Sequence, residues 1–346
     1  MEIIQKQTLC IAIGAGFAIG VGVFIWGKQK RWVKVGKVEN LYIFPLKSGA
    51  PIESNKMKFA SMGPKLNGLI DRGFAVANVG TYTVRDTHSF PRLCLMSISM
   101  AEDETGDLYI TIKSPDAEAD LVFQLPTDFS SEPAERFVST SVIGGKCSSV
   151  FDCGEVAASW LSKVLKKKES GLRLIYHYSE VSMRSHNPTL VKLFGNTMQP
   201  SFLPALSHTA PYHLVTTSSV SELNKKMNNT DANKVTALNF RPNLVVKTLS
   251  DKPFQEDWWK QVRIGSVGLE YSLPDNRCQT VNYNQLTAEK DVRVLKWINS
   301  NRRILSKEIE KVAGPDGVFG HRYGLKVGSE GYVNKGDDVW AYLSRF

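Results

Sequence analysis

The chain has 346 residues, enough for about two domains, and its hydrophobic and charged fractions of 42% and 22% are ordinary for a globular protein. The net charge of +9 predicts an electropositive surface that suits an anionic lipid, a phosphorylated cofactor or an acidic protein. The sequence has no zinc-finger spacing, no basic–aromatic repeat and no Lys/Arg run longer than residues 166–168. Nucleic acid is therefore not an expected partner.

The cysteines indicate a reducing compartment. Their number is odd, they form no CxxC pair and one of them stands in an apolar segment, which argues against a disulfide framework. They are Cys10, Cys94, Cys147, Cys153 and Cys278. The six histidines show no HExxH motif and no paired spacing, so a zinc site is not expected.

The first apolar segment, residues 9–26, contains no charged or strongly polar side chain. As a helix it would span about 27 Å, close to the hydrocarbon thickness of a bilayer. A dinucleotide-binding turn with the motif GxGxxG is disfavoured, because the third glycine, Gly20, falls one residue later than the motif requires. The helix that follows would also be apolar on all sides. A cleaved signal peptide is disfavoured because no small-x-small site follows. Basic residues crowd the C-terminal flank, so we predict a signal anchor with everything after residue 27 in the cytosol.

From residue 35 onward the pattern predicts mostly strands. Residues 37–48 alternate and then break at Pro45, residues 107–114 form a short strand, and two longer stretches predict hairpins. The hairpins are residues 73–86, turning at Val79-Gly80, and residues 138–152, turning at Gly144-Gly145.

Two helices stand out among these strands. In the first, Asp152 is expected to act as the cap with Glu155, and the expected apolar face comprises Val156, Trp160, Leu161, Val164 and Leu165. In the second, residues 218–228, Ser219 and Glu222 are expected to form the capping box. Residues 237–247, 262–273 and 278–284 then predict short strands at the spacing of a barrel or sandwich.

Several turns pair a cation with a small polar residue. They contain Lys47 and Ser48, Arg72, Thr209, Arg241 and Asn243, and Asn276, Arg277 and Cys278. Each turn alone is typical of a solvated loop. Together they suit an anionic, hydrogen-bond-rich ligand with one soft metal-binding point. The residues alone leave Cys278 either as a small buried filler or as a thiolate held for chemistry.

The same segments resemble the MOSC superfamily and, within it, the mitochondrial amidoxime reducing component. The resemblance rests on "GKVENLYIFPLKS", "LIDRGFAVAN", "FPRLCLMS", "FDCGEVAASWLSKVL", "NFRPNLVV" and "NRCQTV" in the family's order. It implies a β-rich α+β fold with three parts. These are a membrane-anchor helix and basic flank over residues 1–34, a MOSC N-terminal β-rich domain over 35–170, and a MOSC β-barrel domain over 171–346, the last two packed together.

The resemblance also implies molybdenum cofactor between the two domains, with the Cys278 thiolate on molybdenum. Lys47, Ser48, Arg72 and Arg241 would hold the pterin phosphate and ring system, and Thr209, Asn243, Asn276 and Arg277 would line the site. Departures from the family pattern fall at Ala210, Asn276 and Arg322, where serine, serine and an aromatic residue are common. Cys153 also recurs in the family, but its position at a helix start favours a packing role.

The implied activity is the reduction of N-hydroxylated compounds such as amidoximes, with electrons from NADH through cytochrome b5 reductase and cytochrome b5. The implied location is the outer mitochondrial membrane with the catalytic body in the cytosol, and the endoplasmic reticulum fits the anchor equally well. Pyridoxal phosphate is not expected. Two alternatives stay open, a sulfur carrier with a persulfide on Cys278, and a membrane-tethered cofactor-binding protein without turnover.

Overall fold

The computed structural model describes residues 32–142, 145–165, 171–303 and 316–343, together with residues 307, 310 and 314. The predicted membrane anchor, residues 9–26, lies outside these residues. Within them, no helix combines the length and the apolar character needed to cross a membrane.

Strands dominate the described chain, as the alternating sequence pattern predicts. They are β1 (Trp32–Ile43), β2 (Ile52–Ser54), β3 (Lys56–Ala60), β4 (Gly63–Leu66), β5 (Leu69–Ile70), β6 (Phe74–Asn78), β7 (Ser97–Glu102), β8 (Leu108–Lys113), β9 (Leu121–Leu125), β10 (Phe137–Val142), β11 (Gly145–Asp152), β12 (Leu172–Tyr176), β13 (Tyr212–Thr216), β14 (Leu244–Thr248), β15 (Trp259–Ile264), β16 (Val267–Asn276), β17 (Val318–Leu325), β18 (Gly331–Asn334) and β19 (Asp338–Leu343). The helices among the described residues are α1 (Glu155–Val164), α2 (Pro188–Phe194), α3 (Thr217–Lys226) and α4 (Arg293–Asn301).

Seven strands close into a barrel in the order β14-β13-β17-β16-β15-β19-β1, and β1 pairs back to β14. Strand β1 can serve two neighbours because it is 12 residues long. Its first half pairs with β19 and its second half pairs with β14 and β2. The barrel therefore includes a strand from the predicted first domain, and the division of the chain at residue 170 stays a prediction.

Three smaller sheets complete the β-rich fold. Their strand orders are β10-β11-β12-β6, β18-β3-β4-β5 and β7-β8-β9. A large hydrophobic cluster joins barrel residues such as Leu244 and Val262 to residues of the smaller sheets such as Phe59 and Leu174. The predicted β-rich architecture, with an additional β region beside a barrel, is confirmed.

Local corrections concern two helix starts and two predicted strands. The predicted strand 237–247 begins late, because Ala237–Phe240 form a 3-10 turn and β14 starts only at Leu244. The first residue of α1 follows Gly154, and Asp152 accepts a hydrogen bond from the Gly154 N–H instead of capping the helix; Val156 is exposed. The cap of α3 is Thr216, whose hydroxyl accepts from the N–H of Ser219, so Ser219 is not the cap.

The stretch 278–284 is not a strand. Residues Gln279–Asn282 form a 3-10 turn. The Asn239 side-chain amide donates to the carbonyl groups of Val281 and Tyr283, which are thereby occupied without a neighbouring strand. Hydrogen bonds from Asn239, a side chain about 40 residues away in sequence, thus stabilise the turn conformation of this stretch.

Strand β17 depends on Gly320 for its close approach to β13. Gly320 has a φ of +74°, and a Cβ there would lie 2.5 Å from the Leu214 carbonyl oxygen. We expect Gly320→Ala to lower the free energy of unfolding by at least about 2 kcal/mol, since strain and overpacking add. Urea denaturation followed by circular dichroism measures this change.

The matched control is Gly265→Ala. Gly265 also has a positive φ, +56°, but a Cβ there would meet nothing within 4 Å. Backbone strain alone then applies, and a smaller loss of about 1 kcal/mol is expected. Equal losses in the free energy of unfolding at both positions would show that the close approach of β17 to β13 adds nothing to the cost of Gly320→Ala.

Candidate functional site

One cleft collects seven of the nine predicted site residues. Its lining includes Lys47, Ser48, Arg72, Arg241, Asn243, Arg277 and Cys278. Further lining residues are Asp86, Ser207, His208, His213, Asp275, Thr280 and Arg322. The turns that the sequence separates by up to 230 residues therefore converge on one place, and the cleft brings five cations together.

The loop after β1 supplies the first of these cations. The Lys47 N–H donates to the Phe74 carbonyl at 2.7 Å, which ties the loop to β6. The Lys47 ammonium then donates to the Leu206 carbonyl oxygen, also at 2.7 Å. Ser48, with a φ of +67°, accepts a hydrogen bond from the Thr87 N–H through its hydroxyl at 3.1 Å. Both side chains are buried at fixed positions.

Two arginines flank the buried ring of Phe44. The guanidinium carbons of Arg72 and Arg241 lie 4.4 and 4.2 Å from the ring centre. Arg72 pairs with Asp71 at 2.5 Å and donates to the Arg241 carbonyl at 3.0 Å. Arg241 donates to the Gln285 amide oxygen at 2.6 Å. Cation–π contact and these hydrogen bonds hold two like charges close together.

Backbone conformation marks the same residues. Arg72 and Arg241, like Ser48, occupy the left-handed region, with φ values of 49° and 54°. Residues other than glycine adopt this region at a cost of about 1–3 kcal/mol each and persist there where the surroundings fix them. Three strained residues in one cleft support a functional role for it.

Asp275 is the central anion of the cleft. Its carboxylate is buried and contacts the guanidinium groups of Arg277 and Arg322, the latter at 2.6 Å. The imidazole Nε2 of His213 lies 3.2 Å away. Burial alone would raise the pKa of Asp275, but the charges of Arg277 and Arg322 outweigh burial and hold it well below its usual range.

The two cleft histidines are neutral. Burial is the main reason that the pKa of His213 falls to about 3, and nearby Arg277 and Arg322 add to this effect against the opposing charge of Asp275. Burial likewise lowers the pKa of His208 well below its ordinary value. Neutral imidazoles can accept or donate a hydrogen bond without adding charge to a cation-rich site.

Three of the predicted site residues make contacts different from those of the cations that line the cleft. Asn243 lines the cleft, but its amide accepts from the His213 N–H at 3.1 Å and donates to the Tyr42 carbonyl at 3.2 Å, so its side chain joins β13 to β1. Thr209 is buried behind the lining and its hydroxyl lies 3.1 Å from His208 Nδ1. Asn276 ends β16 outside the lining, where it pairs with Val318.

Cys278 lies at the edge of the cleft and is exposed, whereas the other cysteines of the described chain, Cys94, Cys147 and Cys153, are buried. Its sulfur lies 3.4 Å from the Thr280 hydroxyl. The reading of Cys278 as a buried filler is therefore wrong. Burial raises the pKa of the Cys153 thiol well above its ordinary value, and Cys153 belongs to the main hydrophobic cluster, in line with a packing role.

The sequence reasoning missed Asp275, His208 and His213. Asp275 lies two residues before Arg277 at the end of β16, and a carboxylate so close to the Arg277-Cys278 pair was the available signal. No comparable signal marks the histidines, because the pairing of His213 with Arg322 across β13 and β17 is set by strand register.

Comparison with known families identifies the chain. The "MOSC domain" model matches residues 175–340 and the "MOSC N-terminal beta barrel domain" model matches residues 35–168. The chain belongs to the MOSC family. The resemblance inferred from the motifs is confirmed, and the cleft described above draws on residues from both matched segments of this MOSC protein.

Several curated relatives align with most of the chain. Mitochondrial amidoxime-reducing component 1 of Mus musculus is 26% identical over 328 residues, which cover 93% of this chain and 88% of the relative. The Homo sapiens protein of the same name is 26% identical, covering 93% and 90%. Molybdenum cofactor sulfurase of Homo sapiens is 27% identical over 77% of this chain but over only 28% of its own length.

Removing the central anion is expected to destabilise the protein. Asp275→Asn leaves Arg277 and Arg322 buried without their counter-ion, and we expect it to lower the free energy of unfolding by about 3–5 kcal/mol. Because the folded-state pKa of Asp275 is lowered, its contribution is complete above the unfolded pKa of about 3.9 and is lost as the pH falls below that value. Urea denaturation at several pH values measures both effects.

Asp338→Asn is the matched control. Asp338 pairs with Lys34 and Lys37 at the surface, and exposed pairs contribute little. A loss at Asp275 no larger than the loss at Asp338 would contradict the central role of the buried carboxylate.

Proposed function

We propose that the chain is a molybdenum-cofactor-dependent reductase of N-hydroxylated compounds such as amidoximes. Relatives that align over 93% of the chain are named amidoxime-reducing components. The observation that carries the proposal is an exposed thiol, Cys278, at the edge of a cleft lined by five cations. A soft sulfur ligand beside clustered cations matches a metal carried by a phosphorylated organic cofactor.

The donor groups of the cleft fit such a cofactor. Nη2 of Arg241 and Nε of Arg277 are buried and have no hydrogen-bond partner in the described chain. A buried donor left unpaired costs about 1–3 kcal/mol. Phosphate oxygens are the acceptors that guanidinium groups match best, so a phosphorylated ligand would relieve this cost.

The positions of the side chains support the following roles. When bound, the molybdenum cofactor supplies two-electron redox chemistry. Lys47, Arg72 and Arg241 would neutralise its phosphate, and the Cys278 thiolate would hold the metal and tune its reduction potential through sulfur donation. Asp275 keeps Arg277 and Arg322 oriented toward the cleft. Thr209, Asn243 and Asn276 act as supports for the lining and not as direct ligands.

Reduction of an N-hydroxyl group to N–H releases water and consumes two electrons and two protons. We propose that the electrons come from NADH through cytochrome b5 reductase and cytochrome b5, because a net charge of +9 favours acidic partners.

We also propose the outer mitochondrial membrane as the location, with residues 9–26 as the anchor and the catalytic body in the cytosol. The mitochondrial names of the relatives support this location.

Sulfur transfer is the second candidate. The relative named molybdenum cofactor sulfurase aligns over 77% of the chain, and an exposed cysteine is accessible to a sulfur donor. In this case Cys278 carries a persulfide, and the metal is not needed for the activity.

The central test compares Cys278→Ala with Cys153→Ala in the full-length chain. We expect the wild-type protein and Cys153→Ala to contain close to one molybdenum atom per chain and to reduce benzamidoxime. Cys278→Ala is expected to lose at least about 100-fold in rate, because changing a residue that merely orients a metal ligand already costs about 10–100-fold. Elemental mass spectrometry and product analysis by chromatography supply the two readouts.

Cys153 is the control because it is a second cysteine whose side chain is buried outside the cleft. Wild-type protein without molybdenum, produced in a host that makes the cofactor, would contradict the reductase. A persulfide detected on Cys278 by peptide mass spectrometry, together with absent molybdenum, would establish the second candidate instead.

The proposed donor leads to a salt-dependence prediction. If an acidic cytochrome docks on this basic protein, the second-order rate of electron transfer should fall several-fold as the salt concentration rises to about 0.5 M, where screening is strong. The same assay with a small neutral or cationic reductant is the control, and its rate should not fall. A cytochrome-dependent rate insensitive to salt would exclude electrostatic docking.

A further inference from the structure

Lys47 occupies an unusual setting in the cleft. Its side chain is 8% exposed, and its ammonium donates to a single backbone carbonyl, that of Leu206. None of the ion pairs in the described part of the chain includes Lys47. A buried lysine without a carboxylate partner is rare, because burying an unpaired ammonium is costly.

The titratable groups that face Lys47 come from five parts of the fold, and the charges among them are mainly positive. They are Arg184 after β12, Arg72 after β5, Arg322 on β17, Asp86 after β6 and the neutral His208 before β13. The only anion among them, Asp86, also accepts hydrogen bonds from the N–H groups of its own turn, those of His88 and Ser89. Burial first, and then the three arginines, lower the pKa of Lys47 to about 7.

We propose that Lys47 is the proton-exchanging group of the cleft and takes up one proton when an oxyanion binds there. An anion beside the amine favours its charged form, so binding and protonation reinforce each other. Near and above neutral pH the unoccupied cleft holds Lys47 partly as the neutral amine. Entry of a dianion then draws a proton from solvent onto Nζ. The linkage concerns the anion alone and does not depend on metal or on turnover, so it stands apart from the proposed reductase activity.

The other groups of the cleft do not take this role. Burial lowers the pKa of Arg241 to about 9, which is still above neutrality, so the cleft arginines stay charged near neutral pH and exchange no proton there. The pKa values of His213 and His208 lie well below neutrality, and adding a proton to either would add a further buried charge. Asp275 stays ionised between its two arginines. Lys47 is thus the basic group of the cleft whose charge an anion can change near neutral pH.

The consequence is a pH-dependent affinity. An oxyanion that binds with uptake of one proton loses affinity as the pH rises above the pKa of free Lys47, by up to about tenfold per pH unit. Below that pKa the lysine is already charged and the affinity is constant. The cleft therefore retains a phosphorylated ligand more tightly in mildly acidic than in mildly alkaline solution.

The experiment uses full-length chain produced in a host unable to make molybdenum cofactor, with inorganic sulfate as the probe. Sulfate does not titrate near neutral pH, so any proton taken up belongs to the protein. Isothermal titration calorimetry in buffers of different ionisation enthalpy, about one unit above the pKa of Lys47, gives the number of protons per sulfate. We expect close to one for the wild-type protein and a sulfate affinity that weakens with rising pH.

Three variants complete the test. Lys47→Arg should bind sulfate with almost no proton uptake, because a guanidinium is already charged. Lys47→Met should bind more weakly, also without uptake, and Lys58→Met, an exposed lysine on β3, should behave like the wild-type protein. Undiminished uptake in Lys47→Arg, a pH-independent affinity of the wild-type protein, or no saturable sulfate binding would each overturn the proposal. The pH series on wild-type protein decides the matter even if a Lys47 variant fails to fold.

Discussion

The buried carboxylate of Asp275 holds together the charges on which the cleft depends. The barrel strands β13, β17 and β16 are adjacent, and their register pairs His213 with Arg322 and Arg322 with Leu273, two residues before Asp275. A buried carboxylate or a buried guanidinium alone would each lose several kcal/mol of hydration, and the contact between them offsets much of that loss. With one carboxylate for two guanidinium groups, the network keeps a net positive charge. That residual charge is what the cleft offers to a ligand.

The second constraint is the rigidity of the surrounding loops. Ser48, Arg72 and Arg241 hold left-handed backbone conformations, and the ring of Phe44 lies against both guanidinium groups. Cations that repel one another would spread apart on flexible loops. Here hydrogen bonds to backbone carbonyls, such as that from Arg241 to Gly49, fix them before any ligand arrives. A ligand then binds without having to order these side chains, which favours affinity.

Sequence reasoning identified four of the five cleft cations and Cys278 because each stands in a turn or at a strand end beside small polar residues, a local pattern. The fifth cation, Arg322, lies inside β17 and was not predicted as a site residue. It could not identify His213, since only the pairing of β13 with β17 brings that side chain to Arg322. It placed Asn243 in the lining, where the structure has it, but it could not show that both ends of the Asn243 amide bond to backbone groups of distant strands. The false strand at 278–284 has the same origin, because Asn239 contacts it from another part of the chain. Site residues marked by a local sequence pattern were predictable, and those placed by contacts between distant segments were not.

The position of β1 also affects how the barrel is made. Trp32 pairs with Tyr342, so the first described strand and the last are neighbours, and β1 also joins β14 from the middle of the chain. During synthesis on a ribosome, the first half of β1 therefore keeps an unpaired backbone edge until β19 has emerged, although the second half can already pair with β2. Long-range pairing of this kind slows folding, whereas the entropy of closing so large a loop grows only with the logarithm of its length. Exposed strand edges attract other chains. The seam between β1 and β19 is thus the barrel edge that newly made protein leaves open for longest, although in the finished fold it is an ordinary part of the sheet.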